Sequence, residues 1–203
     1  MKVSKEQMAE NRARILDVAA ALFRERGFAG IGVSDLMKAA GLTHGGFYGH
    51  FASKEELMAR ASERALAGSL GGWRGLVEHA PDDALRRIVR SYLSEAHRDH
   101  PEQGCAVAAL GADVARQGSE VRASVTQGVA AHAALMSELM PGATAEERER
   151  QAWFTYATLV GAVVLARALD DPRQSKAVLE AVAAGLLEGD RESPIGEMAN
   201  VRK

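Results

Sequence analysis

Apolar positions recur with a helical period along most of this chain. Ile15, Val18, Ala19, Leu22 and Phe23 line one stripe, which predicts a first helix from about Lys5 to Arg26, stopped by Gly27. Residues 28–32, FAGIG, read as a turn with Phe28 and Ile31 buried. Val33, Leu36, Met37 and Ala40 then fall at i, i+3, i+4 and i+7, the pattern of a short second helix. Gly41 supplies the positive φ of a helix-ending turn, and Leu42 drops into the core. Thr43 is placed to cap a third helix by accepting a free backbone N–H. Phe47 and Phe51, at i and i+4, face inward together. His44, Gly45, Gly46, Tyr48 and His50 are left for the outward side and the helix start. A short helix, a glycine turn and a second segment with Tyr and His outward form the layout of a helix-turn-helix that can enter a DNA groove. Two glycines at the helix start weaken it but let the backbone approach bases and phosphates.

The rest of the chain continues the helical pattern. Ser53 with Glu56 forms a capping box, opening a helix that carries Leu57, Arg60, Ala61 and Arg64. The run GSLGG at 68–72 weakens that pattern and is expected to mark the passage into a second domain. Pro81-Asp82-Asp83 starts a helix with Leu85, Ile88, Val89, Tyr92 and Leu93, ended by His100-Pro101. A short helix follows from Gly104 to about Ala115, then one from about Ser119 to Leu139. Thr144 with Glu147 opens a long helix to about Leu169, and Asp171-Pro172 opens a last one over 173–188. Alternating strand patterns are absent. The expected fold is all-α: an N-terminal three-helix helix-turn-helix domain over 1–52, a second helical domain over 53–190, and a flexible tail over 191–203.

Charge sharpens this division. Residues 1–60 hold nine Lys/Arg against seven Asp/Glu, while the remainder holds sixteen against twenty, for a net charge of −2 over 203 residues. A mildly basic head on an acidic body suits DNA at one end only. One Cys excludes an intrachain disulfide. Residues 1–14 are polar and charged, without a signal-peptide pattern, and no apolar run reaches the roughly 18–20 residues of a membrane span. The expected setting is cytoplasmic, with no membrane contact.

Over residues 11–58 the chain resembles the tetracycline-repressor (TetR) family of bacterial regulators. An Ile-Leu-x-x-Ala-x-x-Leu-Phe helix, a Gly-Phe turn, Ala-Gly-Leu, Phe-Tyr-x-His-Phe and Ser-Lys-Glu-Glu-Leu occur in the family's order. Beyond residue 70 the likeness is one of layout. The resemblance implies a homodimeric repressor of double-stranded operator DNA that lets go when a small molecule binds. It implies that Thr43, Tyr48, His50 and Lys54 meet phosphates and sugars, and that His44, Gly45 and Gly46 sit where base edges are read. Many members carry Lys where this chain has His44, which changes charge at that point.

Reading a palindrome requires two heads, hence a self-complementary surface. The last two helices are the expected interface, through Trp153, Tyr156, Val160, Val163 and Val164 of one and Val178, Leu179, Val182, Leu186 and Leu187 of the other, with Gly161 permitting close approach. Trp73, Leu76, Tyr92, His97, Cys105, Val107, Leu110, Leu135, Met136 and Phe154 are the candidate lining of an effector cavity for a small, largely apolar ligand. Cys105 follows Gly104 near a helix start, which gives an alternative, a thiol sensor of electrophiles or oxidants. A helical small-molecule carrier is the alternative of another class. His97-x-x-His100 with Cys105 does not make a metal spacing that stands by itself, so no metal and no cofactor are expected. Phosphate-binding glycine loops, Gly-x-Ser-x-Gly and His-Glu-x-x-His are absent, and an enzyme is not expected.

Overall fold

The computed structural model describes residues 4–188, and the expected tail over 191–203 lies outside them. The described residues form α-helices and short 3-10 turns, without strands. Helix α1 (Lys5–Arg26) starts where Ser4 accepts a bond from the Gln7 N–H at 3.1 Å and ends at Gly27. Helix α2 (Val33–Ala39) ends at a turn that needs Gly41, whose φ is 71°.

The next segment departs from expectation. His44–Gly49 forms a 3-10 helix, not an α-helix, and Thr43 occupies its cap position without a side-chain bond. Gly45, Gly46 and Gly49 give the α form little support, and the Gly46 N–H closes the tighter turn onto the Thr43 carbonyl at 3.0 Å.

Helix α3 (Lys54–His79) runs unbroken through the glycine run at 68–72, so no chain break separates head from body there. Each glycine costs about 1 kcal/mol relative to Ala. Burial decides against a break: Leu66, Leu70 and Trp73 are held on one face, while Gly68, Gly71 and Gly72 look into open space. The first half of α3 joins α1 and α2 in the head core around Ile15, Phe23, Met37, Phe47 and Leu57. Its second half joins the body core around Ile88, Met136, Leu159 and Val163.

Helix α4 (Ala84–Tyr92) stops earlier than the sequence suggests, and α5 (Glu95–Asp99) restarts with Ser94 accepting the His97 N–H at 3.1 Å. That break folds His97 back against Tyr92. Helices α6 (Ala106–Val114), α7 (Ser119–Leu139), α8 (Ala145–Ala168) and α9 (Pro172–Glu188) complete the body. The capping box of Thr144 and Glu147 is formed. Helix α7 crosses α3 so closely that a Cβ on Gly128 would stand 2.8 Å from Leu66 Cβ.

Candidate DNA interface, effector cavity and dimer face

Arg12 braces the helix-turn-helix. Its guanidinium lies 4.2 Å from the centre of the Phe51 ring, donates to the His50 carbonyl and pairs with Glu56 at 3.0 Å. Glu56 in turn accepts the Ala52 N–H at 2.7 Å, and this bond, then Arg12, holds its carboxyl below the usual range. The capping box is therefore shifted by one residue from the expected reciprocal pair. Phe47 and Phe51 are buried and stacked with ring centres 5.8 Å apart. Thr43, His44, Gly45 and Gly46 are exposed, and Tyr48 is 71% exposed with its ring edge-on to Phe47. His50 is half-buried; burial first and Arg12 second lower its imidazole below the ordinary value, so it is neutral near pH 7.

Lys54 does not present a free charge. Its Nζ donates to the carbonyls of Phe28 and Ile31 at 2.6 and 2.8 Å, tying the α1–α2 turn to the start of α3. The role of Arg12 and the inward turn of Lys54 left no sign in the sequence, because both depend on carbonyls brought together only by the fold.

A cavity of about 300 Å³ opens in the body between α3, α4, α5 and α7. Of the expected residues, Trp73, Tyr92, His97 and Cys105 line it; Ser69, Ser94, His100, Gly104 and His132 join them. Leu76, Leu110, Met136 and Phe154 do not. Leu110 packs into the head core, Met136 into the body core, Leu76 lies against that core, and Phe154 is 67% exposed on the far side of α8. Val107 and Leu135 also belong to packing rather than to the lining.

Hydrogen bonds fix two of the three histidines of the cavity, His97 and His132. The Cys105 N–H donates to His97 Nε2 at 2.8 Å, so His97 carries its proton on Nδ1, which donates to the Tyr92 carbonyl at 2.6 Å. His132 Nδ1 stands 2.8 Å from the Gly128 carbonyl and Nε2 2.9 Å from Ser69 Oγ. Burial is the main cause that lowers both imidazoles below their ordinary value. Trp73 meets His132 edge-on at 4.9 Å and Tyr156 at 5.9 Å, while His132 and Tyr156 stack with centres 5.6 Å apart. Cys105 is 5% exposed and sits beside the hydroxyls of Tyr92 and Tyr156, both phenols being pushed up mainly by burial. Gly104 has no room for a side chain: a Cβ would stand 2.6 Å from the His97 ring.

Helix α8 divides its apolar residues between two faces. Tyr156, Val163 and, across from them on α9, Leu179 are sealed in the protomer's own core, so these expected interface residues are not available to a partner. They fall at the spacing of Ala152, Leu159 and Ala166, the buried side of α8. Trp153 and Val164 are exposed, joined by Phe154 and Leu165. Val160, Val178, Val182, Leu186 and Leu187 are half-buried at the edge. Small residues Ala177, Ala181 and Ala184 occupy the exposed side of α9. Among the described residues no helix is long and apolar enough to cross a membrane, and no group of three His, Cys, Asp or Glu side chains could hold a metal ion.

A braced helix-turn-helix on a helical body with an aromatic cavity defines a DNA-binding transcriptional regulator. Residues 15–61 match the model of the bacterial regulatory proteins of the tetR family, and residues 81–182 match the tetracyclin repressor-like C-terminal domain. The chain belongs to the TetR family. It is 27% identical to the transcriptional repressor NemR of Escherichia coli over 141 residues, 68% of this chain and 71% of that one. It is 36% identical to the transcriptional repressor KstR2 of Mycobacterium tuberculosis over 99 residues, 48% of this chain and 49% of that one. The match to the transcriptional regulator YfiR of Bacillus subtilis, at 33%, likewise spans less than half of that relative, 44%. Reduced NemR from E. coli superposes with a TM-score of 0.74 at 25% identity, covering 88% of this chain and 97% of that structure. A TetR-family regulator from Agrobacterium tumefaciens shares the fold at a TM-score of 0.75 and 20% identity.

Proposed function

We propose that this regulator is a ligand-responsive repressor that binds a palindromic operator as a homodimer and is released by a small effector. Residues 1–52 form the DNA-reading head, and residues 53–190 sense and dimerise. Thr43, Tyr48 and His50 face phosphates and sugars, and His44, Gly45 and Gly46 face base edges. Trp73, Tyr92, His97, Cys105 and His132 meet the effector. The observation that carries this reading is the continuity of α3, whose start packs beside the helix-turn-helix and whose Ser69 and Trp73 wall the cavity. A ligand that displaces Trp73 acts on the same rod that sets the head's position, and two heads at one spacing fit successive major grooves.

Two other readings are less well supported. A carrier has no use for an exposed, braced helix-turn-helix. A thiol sensor needs an accessible sulfur, whereas Cys105 is 5% exposed.

Selection of bound fragments from random duplex DNA, followed by mobility shift across a salt series, tests the proposal. A palindromic consensus, a steep salt dependence and a complex with two chains per fragment are expected. Retention without sequence preference, or by single chains, would refute it.

A further inference from the structure

Three hydrogen-bond donors around the cavity have unmade bonds. The hydroxyls of Tyr92 and Tyr156 are buried beside the Cys105 sulfur without a well-formed hydrogen bond, and Nη1 of Arg167 is buried without a partner; Tyr92 lines the cavity, whereas Tyr156 and Arg167 stand directly behind its wall at Cys105 and Gly104. Arg167, on α8, spends its other nitrogens on backbone: Nε donates to the Arg98 carbonyl at 2.9 Å and Nη2 to the His97 carbonyl at 2.7 Å. Its guanidinium lies against the cavity wall at Gly104, where a Cβ would stand 3.3 Å from Nη2. Its charge acts on Tyr92 and Cys105.

No described carboxylate forms an ion pair with Arg167. The two acids whose charge acts on it are paired elsewhere, Asp99 with Arg98 at 2.7 Å and Glu102 with His100 at 3.2 Å. The lining residues themselves include no Asp or Glu. The sulfur of Cys105, set between the two phenols, is a weak acceptor and does not satisfy them. A buried donor without an acceptor is costly, and more so when it belongs to a charged group.

Resting on the reading of this cavity as the effector site, we infer that the effector is an aromatic carboxylate. Its ring lies among Trp73, His132 and the Tyr92 side chain, and its carboxylate accepts from Tyr92, Tyr156 and Arg167. A carboxylate brings two oxygens with about four acceptor sites, enough for all three donors. His97 and His132 do not compete, since both nitrogens of each ring are already bonded. The cavity, at about 300 Å³, stands at the small end of ligand pockets, which favours one or two rings over a long acyl chain.

Calorimetric titration of the full chain with benzoate, methyl benzoate and benzylamine tests this inference. Benzoate is expected to bind at least about tenfold tighter than the ester, with no detectable binding of the amine. Tyr156→Phe should shrink the preference several-fold and leave ester affinity unchanged. Arg167→Gln should abolish the preference, and Arg167→Lys should retain part of it. If Arg167→Gln loses helix content, Tyr156→Phe alone decides. Equal binding of ester and benzoate, an unchanged preference in Tyr156→Phe, or no binding of benzoate would each overturn the inference. Operator retention is measured on the same samples. Retention that the neutral ester relieves would remove the carboxylate and keep the ligand-responsive repressor; absence of retention would remove that reading as well.

Discussion

Arg24, in the last turn of α1, donates a hydrogen bond to the carbonyl of Glu102, in the short turn whose neighbours His100, Gln103 and Gly104 line the cavity. A second tie runs from the Phe28 N–H to Asp113 of α6 at 3.2 Å. The head is thus bonded to the cavity wall by a route separate from α3. Arg24→Ala removes the first tie and leaves the DNA surface and the ring walls in place. Operator affinity without ligand should stay within about threefold, while the fold-release by saturating ligand falls by about fivefold, a coupling loss near the low end of the usual 1–3 kcal/mol. Anisotropy of labelled operator, titrated with and without ligand, measures both.

Lys54 and Tyr48 separate a structural cation from a DNA contact. Lys54→Met frees the carbonyls of Phe28 and Ile31 and should cost about 1–3 kcal/mol of stability, seen as a lower denaturation midpoint. The salt slope of operator binding should not change, because no phosphate contact is lost. Tyr48→Ala should do the reverse: the exposed ring contributes little to the core, and operator affinity should fall about tenfold with the midpoint unchanged.

Periodicity made the head readable, since Ile15, Phe23, Leu36, Met37, Phe47 and Phe51 are buried where their spacing puts them. It served less well where two packed faces share one helix. From residue 152 onward helix α8 is apolar nearly all round, and nothing in its sequence says that Tyr156 and Val163 turn inward while Trp153 and Val164 turn out. The glycine run of α3 weakens the local propensity without breaking the helix, because the long-range burial of Leu70 and Trp73 outweighs it, and the change from head core to body core falls between Leu66 and Leu70. His132 and Arg167 were illegible as cavity groups. A lone His or Arg on a helix carries no signal until the fold sets it beside Ser69 or the His97 carbonyl.

Acid should weaken the fold through His97 and His132 of the cavity. Burial, aided by Arg167 near His97 and by Arg74 near His132, lowers both imidazoles below the ordinary value of 6.5 that the unfolded chain retains. Between the folded values and 6.5 the unfolded chain binds more protons, so stability rises with pH across that window and falls as pH drops through it. Above 6.5 both states are neutral at these sites, and the curve should be flat with respect to them. Thermal midpoints measured between about pH 8 and about pH 5.5 check the slope. His132→Gln should flatten it, and an unchanged slope in that variant would assign the acid sensitivity elsewhere.

The outer face of α8 gives the last test. Trp153, Phe154, Val164 and Leu165 are 42%, 67%, 47% and 51% exposed, and Gly161 between them has nothing within 4 Å. Single exposed apolar side chains are ordinary, but a continuous stripe beside an alanine-lined α9 is not what a monomer keeps in water. Related by a two-fold axis, α8 and α9 of each copy would pack as four helices, each stripe covering the other's small residues. Leu165→Glu places a carboxylate in each copy's stripe, where burial and like charge oppose pairing. Sedimentation should then report the 21.6 kDa of one chain, with helix content intact because Leu165 faces away from the core. Operator affinity should fall about a hundredfold or more, since two linked heads become two independent ones. A dimer that survives both Leu165→Glu and Phe154→Glu would place the interface on another face of the body.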